Sequence, residues 1–164
     1  MPELPEVETI VRKLRSDLIG RKIESADLLW ARTLATPELA LFKKNIVGQS
    51  IDSVSRRAKY IVIHLSVDYL LVHLRMSGDL LLRKKGEETH KHDRLILHFD
   101  KGHYLVFNDM RKFGRVWFTP SPGDVLGKLG PEPLDESFTS DNLYTGMQKH
   151  QRQIKPLLLD QSFL

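Results

Sequence analysis

The first six residues place a candidate nucleophile beside acidic side chains. Pro2 follows the initiator methionine, and Glu3 and Glu6 come shortly after it. If Met1 is removed, Pro2 presents a secondary α-amine, and α-amino groups titrate near ~8 and are partly neutral at physiological pH. Neutral amines attack sugar or carbonyl carbons to form Schiff bases, and a secondary amine forms a cationic iminium directly. Glu3 would serve as a general acid and Glu6 as a supporting carboxylate.

The same residues also suit an ordinary helix start. Proline fits the first helical position, and carboxylates are favourable in the first turn. An apolar stripe at helical spacing predicts a first helix over Pro5–Ile19, and the stripe consists of Val7, Ile10, Val11, Leu14 and Leu18. The positive end of this helix would lower the pKa of a terminal amine beside it. The residues alone leave the catalytic and the structural interpretation open.

Short strand patterns dominate the chain after this helix. The predicted strands are Ile23–Trp30, Tyr60–Leu65, Tyr69–Leu74, Asp79–Leu82, Leu95–Phe99, Tyr104–Phe107 and Val116–Thr119. A charged loop is predicted over Arg83–Asp93, a hairpin turn over Asp100–Gly102, and helices over Pro37–Val47 and Thr139–His150. We expect an α+β fold that is mainly β, an antiparallel β-sandwich flanked by the N-terminal helix and a further short helix.

Composition narrows the possible classes of protein. The 164 residues suffice for a domain with its own core, and they contain no apolar run long enough for a transmembrane helix. Cysteine is absent, which excludes disulfides and cysteine-ligated zinc within these residues. The acidic, proline-containing start is unlike a signal peptide, so we expect a cytoplasmic protein. The net charge of +4 suits a polyanionic partner without requiring one.

Three later motifs also have an ordinary and a functional interpretation. Arg56–Tyr60 is a basic cluster that enters a strand, where a solvated strand end is the ordinary interpretation. His73–Gly78 closes a strand with a turn, and a methionine there would ordinarily belong to the core. Asn108–Gly114 joins arginine, lysine and phenylalanine in one turn, which is unusual because an exposed phenylalanine calls for a partner.

The opening Met1-Pro2-Glu3-Leu4-Pro5-Glu6-Val7-Glu8-Thr9 resembles the start of formamidopyrimidine-DNA glycosylases, bacterial enzymes that excise 8-oxoguanine. The resemblance implies that Pro2 attacks C1′ of the damaged nucleotide while Glu3 protonates the opening sugar ring. Glu6 would assist in the same site, and Lys59 matches the family's phosphate-contacting lysine. The implied reaction removes an oxidised purine and then cleaves the strand by β- and δ-elimination.

The resemblance also implies residues that hold a flipped-out nucleotide and its partner. Met76 would fill the space that the nucleotide leaves, because an inserted apolar side chain offsets part of the lost stacking. Arg111 would read the orphaned base, and Phe113 would wedge into the stack. Arg75 departs from the family pattern, in which glycine often occupies this position.

Further contacts to the DNA backbone are implied at three positions: His73, Lys112 and Lys155. Lys112 replaces a second arginine that some members carry. The histidines of the chain, including His90 and His92, are predicted to be solvated loop residues that form no metal site.

The resemblance implies a domain organisation and partners. Residues 1–135 would form the catalytic β-sandwich domain, and residues 136–164 a helix and linker leading to a helix–two-turn–helix and zinc-finger half that this sequence lacks. We expect no cofactor in the chain, a structural zinc in the absent half, and a monomer that acts on double-stranded DNA with oxidised bases or abasic sites. An isolated piece and a naturally truncated paralogue both fit. Without the second half, we expect weak binding and cleavage of duplex DNA.

Three other functions remain as alternatives. An endonuclease VIII-type enzyme would select oxidised pyrimidines and shares the Pro-Glu start. A non-catalytic damaged-DNA-binding fragment would bind lesions without forming an adduct. A small tautomerase could use an N-terminal proline as a base, but it has no use for Lys59, Met76, Arg111 and Phe113 together.

Overall fold

In the computed structural model, which describes residues 2–164, the first helix α1 spans Leu4–Leu18. The Glu6 side chain accepts a hydrogen bond from the backbone N–H of Glu3 at 3.0 Å, which satisfies one of the free N–H groups at the start of the helix. The buried face of α1 consists of Val7, Val11, Leu14 and Leu18. These residues belong to the predicted apolar stripe. The predicted removal of Met1 concerns a residue outside the described range.

Nearly all the remaining elements of the first part of the chain are strands. They are β1 (Ile23–Leu28), β2 (Leu34–Thr36), β3 (Ile51–Arg57), β4 (Tyr60–Leu65), β5 (Tyr69–His73), β6 (Gly78–Lys84), β7 (Asp93–Phe99), β8 (His103–Asp109) and β9 (Arg115–Thr119). One sheet has the order β1-β7-β8-β6 and the other the order β2-β9-β5-β4-β3. The predicted α+β fold is confirmed. One detail of the prediction is wrong, since β2 and β9 pair in parallel rather than antiparallel.

The two sheets and α1 share one apolar core. Helix α1 packs along β3 and also reaches β4 and β6. A second helix, α2 (Leu39–Ile46), packs against β1 and buries Phe42 and Ile46. The Phe42 ring meets the Phe118 ring edge to face, with 5.6 Å between centroids. These contacts tie both helices to the sheets that carry the candidate site.

Several predicted boundaries differ from the structure. The predicted strand over Ile23–Trp30 ends at Leu28, because the N–H groups of Leu29 and Trp30 turn to the carbonyl of Arg94 and a 3-10 turn follows. Strand β6 continues into the predicted loop because Arg83 is buried and forms an ion pair with Asp93. Strands β2 and β3 were not predicted.

The structure divides into two units, Met1–Pro122 and Gly123–Leu164. The second unit contains α3 (Gly123–Leu126), α4 (Ser140–Gln148) and α5 (Ile154–Leu158), of which only α4 was predicted. Helix α4 starts at a reciprocal cap, in which Thr139 accepts from the N–H of Asn142 and Asn142 accepts from the N–H of Thr139. The predicted boundary after residue 135 stays a prediction. Within residues 2–164, no helix is long and apolar enough to cross a membrane.

Candidate active site

The start of α1 meets the turn between β3 and β4 through an ion pair. The ammonium of Lys59 lies 2.6 Å from Oε2 of Glu3. The lysine side chain is 11% exposed and the glutamate side chain is 47% exposed. Pro2 is half-buried and directly precedes Glu3. The structure therefore brings a carboxylate and a cation from distant parts of the chain together, next to the second residue.

A second set of contacts supports the segment that carries Lys59. Arg56 donates from Nε to Glu8 at 3.0 Å and from a terminal nitrogen to the carbonyl of Ala58 at 3.1 Å. Hydrogen bonds from Arg12 and Arg56 lower the pKa of Glu8. Ala58 adopts a φ of 48°, in the left-handed region that ordinary residues rarely occupy. Glu8 and Arg56 thus hold the backbone immediately before Lys59.

His73 is buried opposite Tyr60 on the adjacent strand. Burial and the positive charges of Arg75 and Lys59 lower the pKa of His73 to about 4, so its ring is neutral at neutral pH. Its Nδ1 accepts a hydrogen bond from the backbone N–H of Arg75 at 3.1 Å, which assigns the proton to Nε2. This Nε2 is buried and has no partner among the described residues. The ring therefore holds an unused hydrogen-bond donor.

Arg75 begins the turn that carries Met76. Its φ of 57° lies in the left-handed region, which glycine occupies at lower cost. This conformation explains why a glycine suits the position that the arginine occupies here. Met76 is 42% exposed rather than part of the core.

Asp109 joins the Met76 turn to the loop of residues 110–114. Its buried carboxylate accepts hydrogen bonds from the Ser77 hydroxyl at 2.6 Å and the backbone N–H of Gly114 at 2.7 Å. The backbone N–H of Arg111 donates to the Ser77 hydroxyl at 3.0 Å and to Asp109 at 3.1 Å. The buried guanidinium of Arg94 donates to the carbonyl of Asp109 at 2.7 Å. The turn and the loop are thus held together as one surface feature.

The side chains on this loop form two ring contacts. The guanidinium of Arg111 lies 5.1 Å from the centroid of the Phe113 ring, and Phe113 is 52% exposed. Lys112, with a φ of 61°, places its ammonium 3.9 Å from the centroid of the Trp30 ring. The loop therefore presents cations and exposed apolar groups side by side.

One predicted site residue lies in the other unit. Lys155 is exposed and belongs to α5. The other predicted residues, from Pro2 to Phe113, all lie in Met1–Pro122. Their individual roles stay predictions. Glu6 takes part in a reciprocal cap with Glu3, in which its side chain accepts from the backbone N–H of Glu3 and its own backbone N–H donates to the Glu3 side chain.

Comparisons with known proteins bear on the whole of this arrangement. A family model described as "Formamidopyrimidine-DNA glycosylase N-terminal domain" matches residues 1–116. The chain belongs to the formamidopyrimidine-DNA glycosylase family. The match contains the Glu3–Lys59 pair, the Met76 turn and the loop of residues 110–114.

Relatives within this family cover the full length of the chain. The formamidopyrimidine-DNA glycosylase of Protochlamydia amoebophila is 44% identical over all of it, and that of Pelotomaculum thermopropionicum is 42% identical. A solved structure of the Lactococcus lactis enzyme, non-covalently bound to DNA containing an AP site, superposes with a TM-score of 0.89 at 35% identity and covers 99% of this chain.

The family relatives are longer than this chain. It spans 60% of the Protochlamydia protein, 61% of the Pelotomaculum protein and 64% of the Lactococcus lactis chain. Within residues 2–164, no three His, Asp or Glu side chains are grouped so that they could hold a metal ion, and the sequence has no cysteine.

Several residues that support the site were not identified from the sequence. Asp109 had a usable signal, because an aspartate two residues before Arg111 and five before Gly114 can accept hydrogen bonds from a following turn. Ser77, Arg94 and Glu8 had none, since their contacts that support the site, to Asp109 or Arg56, join segments far apart in the chain. Trp30 was assigned to a strand, whereas its ring lies against Lys112.

Proposed function

We propose that this chain carries the catalytic half of a DNA glycosylase with AP lyase activity that excises oxidised purines from duplex DNA. The observation that carries the proposal is the 2.6 Å contact between Lys59 and Glu3, directly beside Pro2. A proline that only preceded the helix would not need, as its neighbour, a half-exposed carboxylate held by a lysine from the turn between β3 and β4. Action on DNA would place the protein in the bacterial cytoplasm.

The proposed chemistry begins once Met1 is removed and Pro2 carries the chain's free amine. Its nitrogen would form a bond to C1′ of the damaged nucleotide as the bond from C1′ to the base breaks, and the base would leave with a proton from solvent. Glu3, a carboxylate before the reaction, would take the proton that the Pro2 nitrogen releases and pass it to the sugar ring oxygen as the ring opens, which yields an iminium. Loss of the C2′ proton would expel the 3′ phosphate, and a second elimination would expel the 5′ phosphate.

The proposed DNA contacts are His73, the Met76 turn and the loop of residues 110–114 in the first unit and, separately, Lys155 in the second. The neutral ring of His73 has an Nε2–H donor with no partner among the described residues, but this atom is buried, so a bond to a phosphate oxygen would require that DNA binding exposes it. Met76 and Phe113 are exposed apolar side chains that could enter a base stack opened by flipping. Arg111 lies against Phe113 with hydrogen-bond donors for an unpaired base, and Lys112 and Lys155 are exposed cations for phosphates.

The affinity of this chain for duplex DNA should be low. Each neutralised phosphate contributes to binding through counterion release, so fewer contacts mean weaker binding and a shallower dependence on salt. The proposed zinc and further phosphate contacts belong to the part of the relatives that this chain does not span. Turnover by these 164 residues at the rate of a full-length relative would contradict this expectation.

Borohydride trapping tests the proposal. The chain with its N-terminal proline exposed is incubated with a duplex that carries an abasic site or 8-oxoguanine opposite cytosine, and the adduct is mapped by mass spectrometry. We expect a covalent adduct on Pro2. The matched control is the same chain with a short N-terminal extension, which keeps every side chain but turns the Pro2 nitrogen into an amide and moves the terminal amine away from the site, and it should give no adduct on Pro2.

Other outcomes would select among the alternatives. An adduct with oxidised thymine in place of 8-oxoguanine would indicate an endonuclease VIII-type specificity. Binding of the damaged duplex with no adduct on either substrate would indicate a non-catalytic damaged-DNA-binding module. If the chain neither bound the damaged duplex nor formed an adduct, the proposed function would be refuted for this chain.

A further inference from the structure

The ammonium of Lys112 lies over an aromatic ring rather than beside a carboxylate. It is 3.9 Å from the centroid of the Trp30 ring, well within the range of a cation–π interaction. Within residues 2–164, no carboxylate lies within ion-pair distance of Lys112. The distinction matters because a carboxylate would neutralise the cation and compete with a phosphate, whereas a ring attracts the cation and leaves its charge intact.

The Trp30 ring has a defined position relative to the loop. The backbone N–H groups of Leu29 and Trp30 donate to the carbonyl of Arg94 at 2.8 Å and 3.3 Å. The side chain of Arg94 in turn donates to the carbonyl of Asp109, where the loop begins. One buried arginine therefore joins the segment that carries Trp30 to the base of the loop that carries Lys112.

Lys112 contacts the face of the Trp30 indole ring. Its Nε1 is buried and has no hydrogen-bond partner among residues 2–164, so it is unavailable to a ligand at the surface. Arg111 and Phe113 contact each other, while Lys112 adopts a left-handed backbone conformation and pairs with Trp30 instead. Of the three consecutive loop residues, Arg111 and Phe113 thus contact each other, and Lys112 contacts Trp30.

We propose that Trp30 is a positioning residue that holds Lys112 in place, still charged, as a phosphate-binding cation for duplex DNA. The proposal rests on the proposed function, because it requires that the loop binds DNA. A lysine side chain that is ordered before binding loses less conformational freedom when a phosphate arrives. Trp30 would therefore raise affinity for DNA without touching it.

The test measures the dissociation constant of the 164-residue chain for a duplex with an abasic-site analogue at low salt, for five variants. Lys112→Met removes the cation, Trp30→Leu removes the ring, and Trp30→Phe keeps a smaller ring. The fourth combines Trp30→Leu with Lys112→Met. The matched control is Lys101→Met, because Lys101 is an exposed lysine with a φ of 63° at the opposite end of β8.

We expect Trp30→Leu to weaken binding about two- to fivefold, which corresponds to a cation–π contact at an exposed site. Trp30→Phe should recover part of the loss, and the double variant should bind like Lys112→Met alone. Lys112→Met should reduce the salt slope by about one, whereas Trp30→Leu should leave the slope unchanged because no charge is lost. Lys101→Met should bind like the wild type.

The free protein provides a readout that does not depend on DNA. The Cε methylene of Lys112 should show a ring-current shift by NMR that Trp30→Leu abolishes. Absence of that shift would overturn the proposal, as would a Trp30→Leu variant that binds like the wild type or that adds its full effect to Lys112→Met. If the wild type itself lacked salt-dependent binding to the duplex, the proposed function would fail, and the role of Trp30 in DNA binding with it.

Discussion

The ammonium of Lys59 lies 2.6 Å from a carboxylate oxygen of Glu3, and this contact joins the N-cap of α1 to the turn between β3 and β4. A half-exposed carboxylate would otherwise sample many orientations. Catalysis by a general acid depends on its position relative to the reacting atom. The pair therefore links the folding of a distant hairpin to the chemistry proposed at Pro2.

Replacement of Lys59 should slow the trapping reaction. We expect Lys59→Met to reduce the single-turnover rate of borohydride trapping on abasic DNA by roughly tenfold or more, because Glu3 loses its fixed partner. Lys59→Arg keeps the charge and should retain part of the rate. If Lys59→Met trapped at the wild-type rate, the ion pair would have no part in the reaction.

Asp109→Asn should destabilise the protein and disorder the loop of residues 110–114. The buried carboxylate accepts hydrogen bonds from Ser77, Arg111 and Gly114. In asparagine an NH2 group replaces one of its oxygens, and this group would face at least one of the three donors without being able to accept its hydrogen bond. An unsatisfied buried group of this kind costs about 1–3 kcal/mol. Urea unfolding measures the change in the free energy of unfolding. Ser77→Ala removes one of the same bonds and serves as the milder comparison, and equal stability of Asp109→Asn and wild type would contradict the bracing role.

Gly114→Ala should destabilise the protein through a steric clash. A Cβ at this position would overlap the buried ring of Phe107 and lie 3.1 Å from Asp109. Overpacking of this kind costs about 1–3 kcal/mol. The control is Gly86→Ala, whose Cβ would meet nothing within 4 Å and whose φ of 99° isolates the backbone effect. Thermal unfolding measures both variants, and a Gly114→Ala variant as stable as the wild type would be inconsistent with the clash.

His73 should make stability depend on pH. Its folded pKa of about 4 lies below the ordinary value of 6.5, so the unfolded chain binds a proton more readily between these values. Stability is therefore unaffected above pH 6.5 and falls as the pH drops toward 4, by as much as about 3 kcal/mol. Urea unfolding between pH 4.5 and 7.5 should show a smaller decline for His73→Phe than for the wild type. Identical pH profiles would mean that His73 is not held neutral by the fold.

The sequence was informative wherever a signal is local. The apolar stripe of α1 and the hairpin formed by β7 and β8 both follow from residues close together in the chain. The same holds for α4, whose Thr139 cap lies three residues from its partner Asn142. Strand β3 was missed because Ile51 and Val54 are its only buried residues, too few to form an alternating pattern. Strand β2, with three residues, pairs in parallel with a distant strand and has no local signature.

For the candidate site too, local signals could be predicted from the sequence and long-range contacts could not. The residue types proposed to act on DNA were recognisable from the motifs around Pro2, Lys59, Met76 and Arg111. The contacts that hold them were not, because Asp109 meets Ser77 across 32 positions and Arg56 meets Glu8 across 48. Such contacts depend on how strands and helices pack, and packing is absent from any one segment.

The sequence by itself determined the family resemblance, the mainly β fold and the identity of the residues that could do chemistry, since each follows from local pattern or side-chain type. Only the tertiary structure decided that Glu3 pairs with Lys59, that the ring of His73 is buried and neutral, and that Lys112 lies over Trp30. The reason is physical. Ion pairing, desolvation and cation–π contact all depend on distances between side chains, and those distances are set when the sheets and helices enclose a common core.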